Sequence, residues 1–331
     1  MSGKRKTNMP SQTNSVKRFQ ILSLDGGGIK ALFSAAVLAA IEDDLQVRIA
    51  DHFDLIAGTS AGGIISLGLG LGMRPKDIVK FYLEEGPNIF DKSFGLRSVQ
   101  HWFYRKYSSQ PLEEALKKCF GTKLLGDSEK RLVIPSFNID ENDVYIFRTA
   151  HDKRLVRDYK VPAWKVATAT SAAPTFFPSF RDINHLRLID GGVWANNPLM
   201  VAIIEAYGTL KIALENISAF SIGTSETIIQ NRQSLNNGGI LNWAIDNAAL
   251  ETILRGQSIA AYNHASFLLG DKNILRLNPQ VAKGDLSLDG VSKADELIAR
   301  ASYHSRLISP QLQNDFLHHK AKRFVPFYKE N

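Results

Sequence analysis

Gly58-Thr59-Ser60-Ala61-Gly62 is the stretch whose residue types and spacing could do covalent chemistry. It follows the apolar run Phe53–Ala57 and precedes a long apolar stretch beginning at Ile64. A strand, a Gly-x-Ser-x-Gly turn and a helix form a nucleophile elbow, with the serine hydroxyl exposed on a tight turn. Gly58 and Gly62 leave room for the backbone to fold that sharply. The following helix aims its N-terminus at any anion that forms on Ser60. The competing reading is a strand–helix turn whose serine only caps the helix.

Two further motifs bear on the choice. Asp25-Gly26-Gly27-Gly28-Ile29-Lys30 lies between the strand-like Phe19–Leu24 and a helix-like run, Ala31–Ile41. With no side chains in the way, the backbone N–H groups of Gly26, Gly27 and Gly28 could cradle a phosphate or an oxyanion. Asp190-Gly191-Gly192 follows the strand-like His185–Ile189, so the Asp190 carboxylate stands at a strand end and can project into a cleft. Taken alone, an Asp-Gly pair is more often a plain turn.

A serine nucleophile needs a base, commonly a histidine held by a carboxylate. The chain has eight histidines: His52, His101, His151, His185, His264, His304, His318 and His319. None stands in a strand-end turn beside glycine. His264 is the best of them, and a structural helix position accounts for it. Asp190 could instead act directly. With an ordinary pKa near 3.9 it is a weak base at neutral pH, so it must lean on close placement and strong oxyanion stabilisation. The Gly26–Gly28 loop offers that stabilisation.

The three motifs, in this order across roughly residues 19–225, resemble the patatin-like phospholipase family. That family has an Asp-Gly-Gly-Gly loop, a Gly-x-Ser-x-Gly serine and an Asp-Gly-Gly/Ala aspartate. Ala169–Pro178 is similar to its small-residue block ending in proline. The resemblance implies a Ser–Asp dyad that cuts acyl esters of membrane phospholipids with no metal or cofactor in catalysis. Ser60 would be the nucleophile, Asp190 the base and Gly26, Gly27 and Gly28 the oxyanion hole, with Gly58, Gly62, Gly191 and Gly192 supporting the turns. Lys30 stands where the family often has a basic residue. Ala31 departs from a frequent glycine and does not touch the donors. The C-terminal helical segment is similar to that of bacterial members. Some of these resemble the cGAMP-activated phospholipases of anti-phage (CBASS) defence. A cyclic dinucleotide activator is thus an expectation, with a constitutive lipid acyl hydrolase as the alternative. No short motif marks a nucleotide pocket. Cations for one would come from Arg97–Tyr107 or from the region after residue 226.

These motifs need a frame. The strand-like and helix-like runs alternate: Phe19–Leu24 into Ile29–Leu45, Phe53–Ala57 into Ala61–Met73, then a helix from Pro75 to Glu85. Such alternation predicts a mostly parallel sheet with helices on both faces, a ligand site at the carboxyl ends of its strands, and both glycine-rich turns at that end. The resemblance makes it a three-layer αβα fold. Arg131–Phe137 and Val144–Thr149 read as a hairpin, Ile217–Ile222 as a strand and Asn273–Leu277 as an edge strand. Leu241–Leu269, Val291–Arg306 and Pro310–His319 read as helices, and Asn231–Gly239 as a polar loop. The organisation expected is a basic leader over 1–17, a catalytic core over 18–225 and a mostly helical extension over 226–331 packed on the same domain. The aromatic stretch Phe90–Tyr107 reads equally as a lid or as an excursion packed on the core.

Several classes are disfavoured. No apolar run reaches about 18 residues, the length of a membrane-crossing helix. The polar first eighteen residues contain no apolar signal core. A lone cysteine, Cys119, forms no internal disulfide and suits a reducing cytosol. The net charge is +7, part of it from Lys4, Arg5, Lys6, Lys17 and Arg18, which meet no acidic neighbour. That leader is a solvated tail or a contact for anionic headgroups, so the expected location is cytoplasmic and peripheral to the inner membrane face. Zinc spacing and recognition-helix patterns are lacking, which argues against a nucleic-acid module. A dinucleotide-binding protein is the weaker rival. Gly26-x-Gly28-x-x-Ala31 fits its loose fingerprint, with Asp43 or Asp44 at the ribose distance, and leaves Ser60 and Asp190 unexplained.

Overall fold

The computed structural model describes residues 18–90, 107–224, 226–227, 248–281 and 293–330. The leader, most of the aromatic stretch and Asn231–Gly239 lie outside the described residues. Nine strands are described: β1 (Phe19–Leu24), β2 (Leu55–Gly58), β3 (Arg131–Asn138), β4 (Asp143–Arg148), β5 (Leu188–Asp190), β6 (Ile217–Ile222), β7 (Glu226–Thr227), β8 (Ile274–Leu277) and β9 (Gln280–Val281). Seven form one sheet in the order β4-β3-β2-β1-β6-β8, with β5 also on β3; β7 and β9 form a separate pair. The pairs β1–β2, β1–β6, β2–β3 and β6–β8 are parallel, whereas β4 and β5 run antiparallel to β3.

Both faces of the sheet are covered, which is why its strands read as unbroken apolar runs. Side-chain alternation divides them cleanly. Leu22, Leu24, Ile56, Leu132, Ile134, Phe220 and Ile222 face one core. That core holds α1 (Ala31–Leu45), α2 (Ala61–Gly70), α3 (Pro75–Ile89), α4 (Gln110–Phe120) and α5 (Ala163–Thr170). Ile21, Leu55, Ala57, Val133, Ile217 and Ala219 face the other, which α7 (Leu199–Ile204) and α8 (Ala248–Leu269) cover beside the short α6 (Gly192–Ala195). The result is the expected three-layer αβα arrangement.

Two local expectations are corrected. The C-terminal helices read as a pair broken at Pro310 are one helix, α9 (Ala294–Asp315), with Pro310 inside it. Its buried stripe of Leu297, Ala301, Ser305, Ile308 and Leu312 runs straight through the proline and packs on α1. Continuous burial of that stripe outweighs the backbone hydrogen bond the proline forgoes. The strand read over His185–Ile189 shrinks to the three residues of β5, and it is antiparallel. In the region after 226, β8 pairs with β6 as an edge strand of the main sheet, as expected of Asn273–Leu277.

Candidate active site

Ser60 stands between β2 and α2 with φ 55° and ψ −127°, a strained conformation for a residue with a side chain. The neighbouring glycines permit it. A Cβ on Gly58 would lie 2.2 Å from the Gly62 carbonyl oxygen, and one on Gly62 would lie 2.4 Å from that of Leu24. Ser60 N–H donates to Thr170 Oγ1 at 3.0 Å, and that hydroxyl donates to the Pro135 carbonyl at 2.6 Å. The Ser60 carbonyl accepts from Gly63 and Ile64 N–H, so the serine opens α2 and its side chain is free of capping.

Sheet register brings Asp190 to it. Leu55, Ile56 and Ala57 of β2 pair with Arg131, Leu132 and Val133 of β3. β2 ends at Gly58, whereas β3 continues to Asn138, leaving a vacant flank. β5 fills that flank antiparallel, pairing Ser136 with Asp190 and Asn138 with Leu188. The last residue of β5 is therefore the one next to the elbow. The Ser60 hydroxyl donates to Asp190 Oδ2 at 2.6 Å. Asp190 Oδ1 accepts from Gly192 N–H at 2.7 Å, and Gly191 packs against the Pro135 carbonyl. Asp190 is 4% exposed. Burial pushes its carboxyl up to about 6, against the opposing pull of the Ser60 and Gly192 hydrogen bonds. The ordinary value near 3.9 expected from sequence is thereby corrected upward, toward that of a competent general base.

The glycine loop closes the site from β1. Gly27 and Gly28 line the cleft with Ser60 and Asp190, and among the described residues their N–H groups meet no acceptor. Gly26 departs from expectation, because its N–H donates to the Asn196 carbonyl at 2.9 Å. Its own carbonyl accepts from Thr224 Oγ1 at 3.1 Å. Gly26 therefore anchors the loop, and two donors remain for an oxyanion. Ala31 starts α1 with its N–H on the Gly28 and Ile29 carbonyls, clear of those donors. Asp25 is buried and gripped by Arg276 from β8, with Nη1–Oδ1 2.8 Å and Nη2–Oδ2 2.5 Å. The same arginine bridges to Ser221 on β6, 2.6 Å away.

The cleft is a narrow cavity of about 100 Å³. Ile64, Phe81, Ile89, Phe90, Phe176 and Phe177 make its walls apolar around the polar Ser60, Asp190 and Asn196. No histidine lines it among the described residues. His264 is exposed on α8, His52 and His319 join Asp54's surroundings, and His151 binds Glu205. Asp43 and Asp44 lie in the last turn of α1, exposed and roughly 20 Å along the helix from Gly28. The dinucleotide fingerprint thus lacks its ribose partner. Among the described residues no three metal-binding side chains converge, and no helix is long and apolar enough to cross a membrane.

Thr170, Asn196, Thr224 and Arg276 position this site; Thr170 falls within the small-residue block Ala169–Pro178, and the other three escape the sequence motifs. Asn196 has a weak signal, falling one short helical turn after the Asp190-Gly191-Gly192 motif. Arg276 has none, because its partner lies 251 positions away.

The patatin-like phospholipase family model matches residues 22–203. Patatin-like protein 1 of Arabidopsis thaliana is 31% identical over 329 residues, covering 85% of this chain and 79% of that one. A protein of Pseudomonas aeruginosa named cGAMP-activated phospholipase is 31% identical over 287 residues, covering 84% of each chain. A protein of the same name from Vibrio cholerae is 28% identical over 357 residues, covering 97% of this chain and 98% of that one. Over a fold and cleft of this form, the matches establish that the chain belongs to the patatin-like phospholipase family.

Proposed function

We propose that the chain hydrolyses acyl esters of membrane phospholipids with Ser60 as nucleophile and Asp190 as base. The observation that carries this reading is the 2.6 Å hydrogen bond from the Ser60 hydroxyl to Asp190 Oδ2 at the polar end of an apolar cleft. As Oγ attacks the acyl carbonyl carbon, its proton passes to Oδ2. Charge developing on the carbonyl oxygen is met by the Gly27 and Gly28 N–H groups and by the amino end of α2. Asp190 then returns the proton to the departing alcohol, and water repeats the sequence on the acyl-enzyme. Gly192 N–H keeps Oδ1 occupied, so Oδ2 is the oxygen that faces the hydroxyl. Incubation with a fluorophosphonate probe and an ester substrate tests the reading. The parent should label and turn over, and Ser60→Ala should do neither while remaining folded. Near-normal turnover by the alanine variant would refute it.

A second reading concerns control. Relatives named cGAMP-activated phospholipase align with most of this chain, which favours a cyclic dinucleotide as activator. Most of the expected pocket segment Arg97–Tyr107 lies outside the described residues, as does much of the region after 226. Ester hydrolysis by purified protein with and without a cyclic dinucleotide panel decides between activation and a constitutive hydrolase.

A further inference from the structure

Two hollows lie back to back in the helical layer beside Ser60. One is the cleft described above. The other, about 310 Å³, is bordered by Glu113, Thr168, Ala172, Phe180, Arg181 and Asp182 among others. Leu112 of α4 and Phe177 from the loop after α5 border both. The main chain beside them follows the same divide, since Ser171 and Ala173 line the first hollow and Ala172 the second. The wall between the hollows is therefore about one side chain thick.

Its two sides differ in chemistry. The cleft side is built from Ile64, Phe81, Ile89, Phe90 and Phe176. The far side carries Glu113, Arg181 and an Asp182 paired with Lys165 at 2.8 Å. An acyl chain gains by burying methylenes on the first side and gains little among charges on the second. The wall is also held in place. The Phe177 ring packs 6.2 Å from Phe90 and 5.8 Å from Tyr107, and its N–H donates to the Ala173 carbonyl at 2.9 Å. Tyr107 N–H is bonded in turn to the Phe176 carbonyl at 2.8 Å. Leu112 is buried on α4.

We infer that Phe177 and Leu112 are the stop that sets the longest acyl chain the cleft accepts. They determine specificity without taking part in bond making. The inference rests on the acyl-hydrolase reading and adds to it where the acyl slot ends and why. Shortening either side chain opens the slot toward the second hollow, and enlarging Leu112 closes it earlier.

The test is a chain-length profile, from butanoyl to palmitoyl p-nitrophenyl esters in a fixed detergent, for the parent, Phe177→Leu, Leu112→Ala and Leu112→Phe. The readout is the ratio of kcat/KM on long and short esters. A loss of folded enzyme cancels from that ratio. Each additional buried methylene is worth roughly a factor of four. Two more methylenes lodged in the space the shortened side chain vacates, short of the charged groups, should raise the long-to-short ratio about fifteenfold in Phe177→Leu and Leu112→Ala, and Leu112→Phe should lower it. Ratios unchanged from the parent in all three variants would overturn the inference and leave the hydrolase reading standing. A parent that cleaves no ester would overturn the hydrolase reading itself.

Discussion

Asp190 carries two opposed demands. In the proposed role of base it must be ionised near neutrality, and as a buried group it resists ionisation. Raising its pKa from 3.8 to about 6 makes it a better proton acceptor. Turnover should therefore fall as pH drops through about 6, where the carboxyl takes up its proton. The same shift has a thermodynamic consequence with a definite sign. The folded carboxyl binds its proton more tightly than the unfolded one, so this group favours folding most below about pH 4. That contribution is lost as pH rises through about 6, by about 3 kcal/mol at most. Asp190→Asn should accordingly lose at least about a hundredfold in kcat and melt higher than the parent at pH 8. The stability difference should close toward pH 4. Melting curves at both pH values check this, and an Asn variant less stable than the parent at pH 8 would contradict it.

At the scale of elements, the site is assembled from strand ends. β2 supplies the elbow, β1 the glycine loop and β5 the aspartate, all at the end of the sheet where the parallel strands finish. β8 contributes from two strands away. Its Arg276 passes over Ser221 on β6 to hold Asp25, the residue that starts the loop. Both partners are nearly enclosed, with side chains 10% and 4% exposed. Arg276→Met would leave Asp25 as an unpaired buried charge, costing about 3–5 kcal/mol. The Asp25→Asn/Arg276→Met double variant should regain much of that loss in a denaturant titration, because removing both charges is far less costly than removing one. Its kcat should stay depressed with KM little changed, since Gly27 and Gly28 would no longer be held in register for the oxyanion. A double variant with parental kcat would show that the pair serves stability alone.

At the scale of the whole molecule, the sheet is a rigid frame closed on both faces, with a cleft opening within its larger helical layer. The chain carries a net charge of +7, and the leader contributes cations without acids. An enzyme acting on phospholipids must reach a lipid surface, and each cation near an anionic surface adds about 1 kcal/mol of attraction. Deleting residues 1–17 removes Lys4, Arg5, Lys6 and Lys17. Sedimentation with phosphatidylserine vesicles should weaken at least about tenfold at low salt and much less at high salt. Hydrolysis of a water-soluble ester should stay unchanged. Equal vesicle binding at low salt would remove the leader from membrane contact.

Much of this is legible in the residues themselves. Ser60 announces its elbow because only glycine fits at positions 58 and 62. The strands of the parallel sheet announce themselves because burial on both faces demands unbroken apolar runs. The pairing of Ser60 with Asp190 is different in kind. It depends on β3 outrunning β2 and on a three-residue antiparallel strand filling the vacancy, a matter of register between segments 130 residues apart. Tertiary packing alone also decides that Gly26 gives its N–H to the Asn196 carbonyl and anchors the loop, that α9 runs through Pro310, and that Arg276 grips Asp25. Local sequence determines which backbone shapes are permitted. Which carbonyl, charge or apolar face completes each shape, and how far burial moves the Asp190 carboxyl, are set by distant residues that only the fold brings near.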